Sequence, residues 1–426
     1  VIDSRFLFNG SAPLVAIFCW LNTFAATGYG QRELTGDWDC YLESPGGRLR
    51  FGLRIVDNET GELSGFFVNG VERIKIPSVK ILDDKLVLSI DHYDSEIRSL
   101  IDGDSLRGNW RKRRGPNEWV EMTFAGQRSR AKTTSLSADQ AEMSGGTQFA
   151  GRWLVRFERS DEPAVGLFKA ERGDAVSGTF LTTTGDYRYL YGFTAKGRLE
   201  LSCFDGAHAF LFHAALRPDG TLSGDFWSSN NWHERWRGTR AENATLPNPF
   251  TLTKAVGEQP LGSLSFPDLD GKPTRLDDAR FAAPARLIYV FGSWCPNCHD
   301  AADYFRELRE RFGPEKLSIV GLAFEVSGDF ERDARQVRVY LQRHRVEYPV
   351  LIAGLSDKKE ASRALPFLDQ VRSYPTTIFL DGKQNVRAVH TGFCGPATGK
   401  EYQELKEQFE SLIVKMIAED DRQSSD

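Results

Sequence analysis

The chain has 426 residues, of which 40% are apolar and 27% charged, with a formal net charge of −5. That length is too great for one ordinary core and implies two or three globular domains. The slightly acidic balance excludes the electrostatic footprint of a nucleic-acid binder, and the short basic run Arg111-Lys112-Arg113-Arg114, followed by Gly115-Pro116, reads as a solvated turn.

Residues 1–30 differ from the rest. Leu14 to Ala26 is apolar with a single Asn, preceded by Arg5 and followed by the small residues Ala25, Ala26 and Gly28. It is short for a membrane span and patterned like a secretory signal, whether cleaved or kept as an anchor; the plain alternative is a buried helix or strand. Phe18 before Cys19 argues against a lipidated cysteine. An exported chain would keep Cys40, Cys203, Cys295, Cys298 and Cys394, in a compartment where cysteines serve either structure or catalysis.

Two polar stretches, 128–148 and 241–255, read as linkers. They set off β modules at 31–127 and 149–240 that resemble each other. Gly36-Asp37-Trp38 recurs as Gly151-Arg152-Trp153, Leu63-Ser64-Gly65-Phe66-Phe67 as Val176-Ser177-Gly178-Thr179-Phe180, and Leu106-Arg107-Gly108-Asn109-Trp110 as Leu222-Ser223-Gly224-Asp225-Phe226. Three matches in one order and at nearly constant spacing indicate a duplicated module. Alternation in Arg50 to Ile55 and Lys85 to Ile90, with turn signals such as Asp102-Gly103 and Asp219-Gly220, makes each module antiparallel β, a small barrel or sandwich. Trp38, Trp110, Trp153 and Trp227 are expected in the barrel cores. Cys40 and Cys203 do not occupy equivalent repeat positions; a disulfide between them and two separate buried thiols are both open.

From 256 to 419 the pattern becomes α/β. The apolar runs Arg286 to Phe291 and Leu317 to Phe324 read as strands covered on both faces. They alternate with helices at Asp300 to Phe312, stopped by Gly313-Pro314, and at Lys400 to Ala418. A hairpin turns at Asp381-Gly382, and 420–426 reads as a disordered tail.

The segment Trp294-Cys295-Pro296-Asn297-Cys298 joins the first of these strands to a helix. A thiol on a first helical turn faces unpaired amide N–H groups and the positive end of the dipole, which favours thiolate. Two intervening residues bring the second sulfur within reach of a mixed disulfide formed at the first. Downstream, Ser373-Tyr374-Pro375-Thr376-Thr377 places a proline before the hairpin, where a cis peptide bond would lie against the disulfide.

These segments resemble the thioredoxin superfamily. With Leu269-Asp270-Gly271-Lys272 and the run Thr391 to Gly399, the domain looks like the TlpA/ResA-type disulfide reductases. The resemblance implies a thioredoxin fold and reduction of disulfides outside the cytoplasm. It further implies a client protein as substrate and a membrane thiol carrier of the DsbD or CcdA type as electron donor. It assigns Cys295 as nucleophile, Cys298 as resolving thiol and Pro375 as the cis proline. Trp294, Pro296 and Tyr374 would contact the client. Glu325 matches a carboxylate that this group keeps near the active site, suited to take the proton of Cys298. Tyr289 stands where thioredoxins carry a buried aspartate. Cys394 replaces a small polar residue and is either a third redox thiol or an inert buried one.

Dithiol exchange requires no metal or organic cofactor. Cys295 to His299 also spells the C-x-x-C-H haem pattern, but its strand-to-helix setting and the downstream proline speak against haem and leave His299 as an exposed helix-start residue. Zinc lacks a second Cys/His pair. The Pro-x-x-x-Thr-x-x-Cys pattern of a peroxidatic cysteine is absent, its places being held by Ile288 and Gly292. Glu325 has a plain structural alternative, capping its strand or meeting Arg332. The competing functional class is a ligand- or partner-binding protein whose β modules carry the main role; as a third option the modules are spacers.

Overall fold

The computed structural model describes residues 34–58, 62–129, 145–257 and 261–423. The segment expected as a signal, Cys19 and most of the first linker lie outside the described residues.

Alternation decides the first unit. Trp38, Cys40 and Leu42 point inward from the strand Gly36–Ser44, and Leu49, Phe51, Leu53 and Ile55 from Gly47–Asp57. Nine antiparallel strands follow one another to Trp119–Arg128, which pairs back onto Gly36–Ser44. The ladder is open only between Glu72–Ile76 and Ser78–Leu82, on either side of Pro77, which cannot donate a ladder hydrogen bond.

The second unit repeats this strand order from Gly151–Phe157 to Trp232–Arg240. Here Ala175–Thr182 pairs with both Pro163–Ala170 and Leu190–Ala195, which closes the ring. Local geometry is repeated as well. Trp38 Nε1 donates to the Leu34 carbonyl at 3.0 Å and Trp153 Nε1 to the Phe149 carbonyl at 2.9 Å. The guanidinium carbons of Arg128 and Arg240 lie 4.4 Å from the centroids of those two indoles.

Both barrels are filled. Trp38, Trp110, Phe67 and Phe124 pack the first, and Trp153, Trp236, Phe149 and Phe180 the second. Trp227 is not among them. Phe226 points inward, so its neighbour on the strand must point outward, and Trp227 packs instead against the first barrel. The basic run is also not a turn. Arg111 to Arg113 end the strand Ser105–Arg113, with Arg111 2.5 Å from Glu96 and Arg113 2.7 Å from Asp94. Cys40 and Cys203 are free, buried thiols in different cores.

Each barrel is built from its own sheet, and the two pack against each other. Phe204, at the end of Arg198–Phe204, enters the first core, 4.5 Å from Phe51 and 4.9 Å from Phe67 between ring centroids. The Asn69 amide bonds the backbone of Phe204 twice, both at 3.1 Å, and Ser95 Oγ donates to the Gly206 carbonyl at 2.6 Å.

The third unit is a five-stranded sheet in the order Val350–Leu355, Leu317–Glu325, Ala285–Phe291, Thr376–Asp381, Val386–Thr391. The first three strands run parallel and the last two antiparallel to their neighbours. Every residue of Ala285–Phe291 and Leu317–Glu325 is buried, as continuous apolar runs require when helices cover both faces. The helices are α1 (Pro296–Phe312), α2 (Phe330–His344), α3 (Lys358–Ala364) and α4 (Lys400–Gln423). Residues 420–423 are helical rather than tail, because α4 continues past Met416 and Ile417, the last of its side chains packed on the core. No helix among the described residues is long and apolar enough to cross a membrane.

Candidate functional site

The site lies where the buried strand Ala285–Phe291 hands over to α1. Cys295 is the N-cap of α1, in extended conformation (φ −100°, ψ 111°), with Pro296 at the first helical position, where a missing N–H costs nothing. The Cys295 sulfur accepts from the Cys298 amide at 3.3 Å and donates to the Tyr374 carbonyl at 3.5 Å. It is 6% exposed, whereas Cys298 is fully enclosed. Burial, with Cys295 beside it, pushes the Cys298 thiol up.

Gly292 lets Trp294 fold back: a Cβ there would overlap the indole, whose Nε1 donates to the Phe324 carbonyl at 2.9 Å. The peptide bond between Tyr374 and Pro375 is cis. The Trp294 and Tyr374 rings meet edge to face at 5.5 Å. The fold thus gathers Trp294, Cys295, Pro296, Cys298, Tyr374 and Pro375 at one end of the sheet.

Glu325 joins them from the end of its strand. Its carboxylate accepts from Ser293 N at 2.8 Å and Ser293 Oγ at 2.6 Å. Burial pushes it up to about 8, against the lowering effect of both Ser293 hydrogen bonds. It makes no ion pair with Arg332, whose guanidinium instead meets Asp94 of the first barrel.

Two phenols take up the backbone of Cys298. Tyr289 and Tyr340 donate to its carbonyl at 2.7 Å and 2.9 Å. Tyr289 is thus a hydrogen-bond donor where thioredoxins keep an acid.

His299 is buried, contrary to the expectation of an exposed helix start. The turn Asp91–Tyr93 of the first barrel lies on α1, with Tyr93 and His92 at 4.6 Å and 5.2 Å from the His299 ring. The Ser293 carbonyl can only accept, so His299 Nε2 carries the hydrogen of the 2.7 Å contact between them. His299 Nδ1 then accepts from His344 Nε2 at 2.5 Å, and His344 Nδ1 reaches Asp303 at 2.8 Å. Burial, with His344 and His92 nearby, holds the His299 pKa well below its usual value.

The second barrel supplies the opposite wall. Asn297 Nδ2 donates to the carbonyls of Phe393 at 3.1 Å and Asp186 at 3.5 Å. Gly395 N donates to Asp186 Oδ2 at 2.6 Å, and Ser373 Oγ to the Thr184 carbonyl at 2.8 Å. Arg188 pairs with Asp300 of α1 and lies 3.7 Å from Glu72 and 3.6 Å from Asp205, so one guanidinium joins all three units. Between this wall and Cys295 runs a cleft of about 500 Å³.

Sequence reading missed His92, Tyr93 and Arg188, which carry no motif, and the contact of Asn297 with the second barrel, because each acquires its place only when a barrel docks. Cys394 is half-buried against Leu181 and Ala244, and burial pushes its thiol up to about 12, the state of an inert cysteine. Among the described residues no group of three His, Cys, Asp or Glu side chains is placed to hold a metal ion.

The AhpC/TSA family matches this chain over residues 257–389. The thioredoxin-like protein YneN of Bacillus subtilis is 28% identical over 128 residues, covering 30% of this chain and 67% of its own length. The C-terminal domain is thioredoxin-like. Its resemblance to the TlpA/ResA group stands for this domain alone. Among solved structures, a thiol:disulfide interchange protein of the thioredoxin family from Chlorobium tepidum is 21% identical with a TM-score of 0.28, covering 38% of this chain and 99% of that one. A DsbF homologue from Corynebacterium diphtheriae is 20% identical with a TM-score of 0.28, covering 37% and 92%.

Proposed function

We propose that the protein is a TlpA/ResA-type thiol–disulfide oxidoreductase that reduces client protein disulfides outside the cytoplasm. The observation that carries this reading is the pairing of a slightly accessible Cys295 with an enclosed Cys298 on the first turn of α1, opposite a cis Pro375.

The Cys295 thiolate attacks one sulfur of the client disulfide. A Cys295–client disulfide forms and the other client sulfur leaves as thiolate, to be protonated by water. Glu325 takes the proton of Cys298, whose sulfur then attacks Cys295. The Cys295–Cys298 disulfide forms, the second client thiolate departs, and two electrons have passed to the client. A membrane thiol carrier of the DsbD or CcdA type returns two electrons to the pair. Trp294, Pro296 and Tyr374 contact the client.

The two barrels descend from one duplicated module, a reading supported by their equal strand order and the matching Trp38/Arg128 and Trp153/Arg240 stacks. A ligand-binding role inside them draws no support from interiors filled with aromatic side chains.

The test is trapping. Cys298→Ala is expected to accumulate a mixed disulfide with its client, visible on non-reducing gels, and Cys295→Ser to abolish both trapping and disulfide reduction. Unchanged reduction by Cys295→Ser rejects the proposal.

A further inference from the structure

We propose that the mouth of the second barrel is the client-reading wall of the cleft, selecting polypeptides with a bulky aromatic side chain next to the reactive cysteine. The inference rests on Cys295 as the attacking thiol.

The cleft has the reacting sulfur on one side and the aromatic mouth of the barrel, with Tyr187, Phe226 and Trp232, on the other. Trp232 is 43% exposed, a large apolar surface left beside a reactive centre. It is also braced. Its indole N–H donates to Glu234 at 3.0 Å, and the Arg159 guanidinium lies 4.8 Å from the ring centroid. Behind it Tyr187 meets Phe226 edge to face at 5.2 Å and Phe210 at 5.1 Å.

This wall is fixed to the chemistry. Thr184 and Asp186, just ahead of Tyr187, are tied to the cis-proline loop and the segment before α4 by the Ser373 and Gly395 hydrogen bonds, and Arg188 is tied to α1. A spacer needs no such attachments, whereas a recognition surface gains from being held in place before binding.

The geometry of an extended chain supplies the occupant. Successive side chains point to opposite sides. A client cysteine turned toward Cys295 therefore turns the residues before and after it toward the barrel wall. Aromatic side chains suit that wall, since ring pairs gain beyond their buried area.

The test uses the reduced full chain and synthetic octapeptides dimerised through a single cysteine flanked by Phe, Ala or Asp. Second-order reduction rates are measured by stopped flow. The Phe peptide is expected to react about tenfold faster than the Ala peptide. Trp232→Ala should bring that ratio below about two, and Trp232→Phe should restore most of it. Equal rates for Phe and Ala in the unaltered chain, or an undiminished ratio in Trp232→Ala, overturn the proposal. If no peptide is reduced at all, the oxidoreductase reading fails first and this one with it.

Discussion

Replacing Arg188 with Met tests how the three units are held together. Arg188 is buried among Asp300 of α1, Glu72 of the first barrel and Asp205 of its own barrel. Burial pushes Glu72 up from 4.5 to about 7 and Asp300 from 3.8 to about 6, although Arg188 pulls both down. Carboxyls held above their unfolded values favour folding in acid. That contribution is complete below about pH 4 and is lost as pH rises through about 6 for Asp300 and about 7 for Glu72. At about 1.36 kcal/mol per pH unit, each is worth about 3 kcal/mol across its window. Without the guanidinium, the ionised carboxylates at pH 8 are left buried and unpaired, which costs about 3–5 kcal/mol. At pH 5 both are protonated, while Asp205 keeps the amides of Ala207 and His208 at 2.8 Å and 2.6 Å. The deficit of Arg188→Met should therefore shrink to about 1 kcal/mol there. Urea unfolding of both proteins at pH 5, 6.5 and 8 measures it. A deficit below about 1 kcal/mol at pH 8, or one of equal size at pH 5, refutes the reasoning.

Two further outcomes follow from the site. Glu325 is ionised only as pH passes about 8, so the resolving step should accelerate through that range. Glu325→Gln should remove this limb and slow resolution at pH 8.5 roughly 100-fold; stopped-flow decay of the mixed disulfide reports it, and an unchanged profile excludes Glu325 as proton acceptor. Gly185 has φ +148°, and a Cβ there would overlap Asn297 Nδ2. Gly185→Ala should loosen the seam between barrel and α1 at a cost of about 1–3 kcal/mol, seen as faster limited proteolysis; an unaltered digestion rate rejects that view of the seam.

The strand-to-helix setting of the two cysteines was legible locally. The Cys295-Pro296-Asn297-Cys298 spacing, the strand before it and Pro375 before a hairpin are short-range signals, set by helix-end and turn physics within a few residues. Alternation likewise revealed the β character of residues 36–128 and 151–240, since a strand with one buried face must show it.

What the sequence could not determine is which exterior faces meet. Trp227 reads like Trp110 until the register turns it outward. His299 reads as exposed until Asp91–Tyr93 covers it. Asn297 and Trp232 look like ordinary surface residues until docking sets them around the cleft at Cys295, and Arg188 until it meets Asp300 and Glu72. By itself the sequence determined the β and α/β character of the units, the Cys295 to Cys298 spacing and the fold of the domain that carries that pair. The tertiary structure decided the walls around that pair, because contacts between units built from their own sheets depend on surface complementarity across long stretches of chain and leave no period in the sequence.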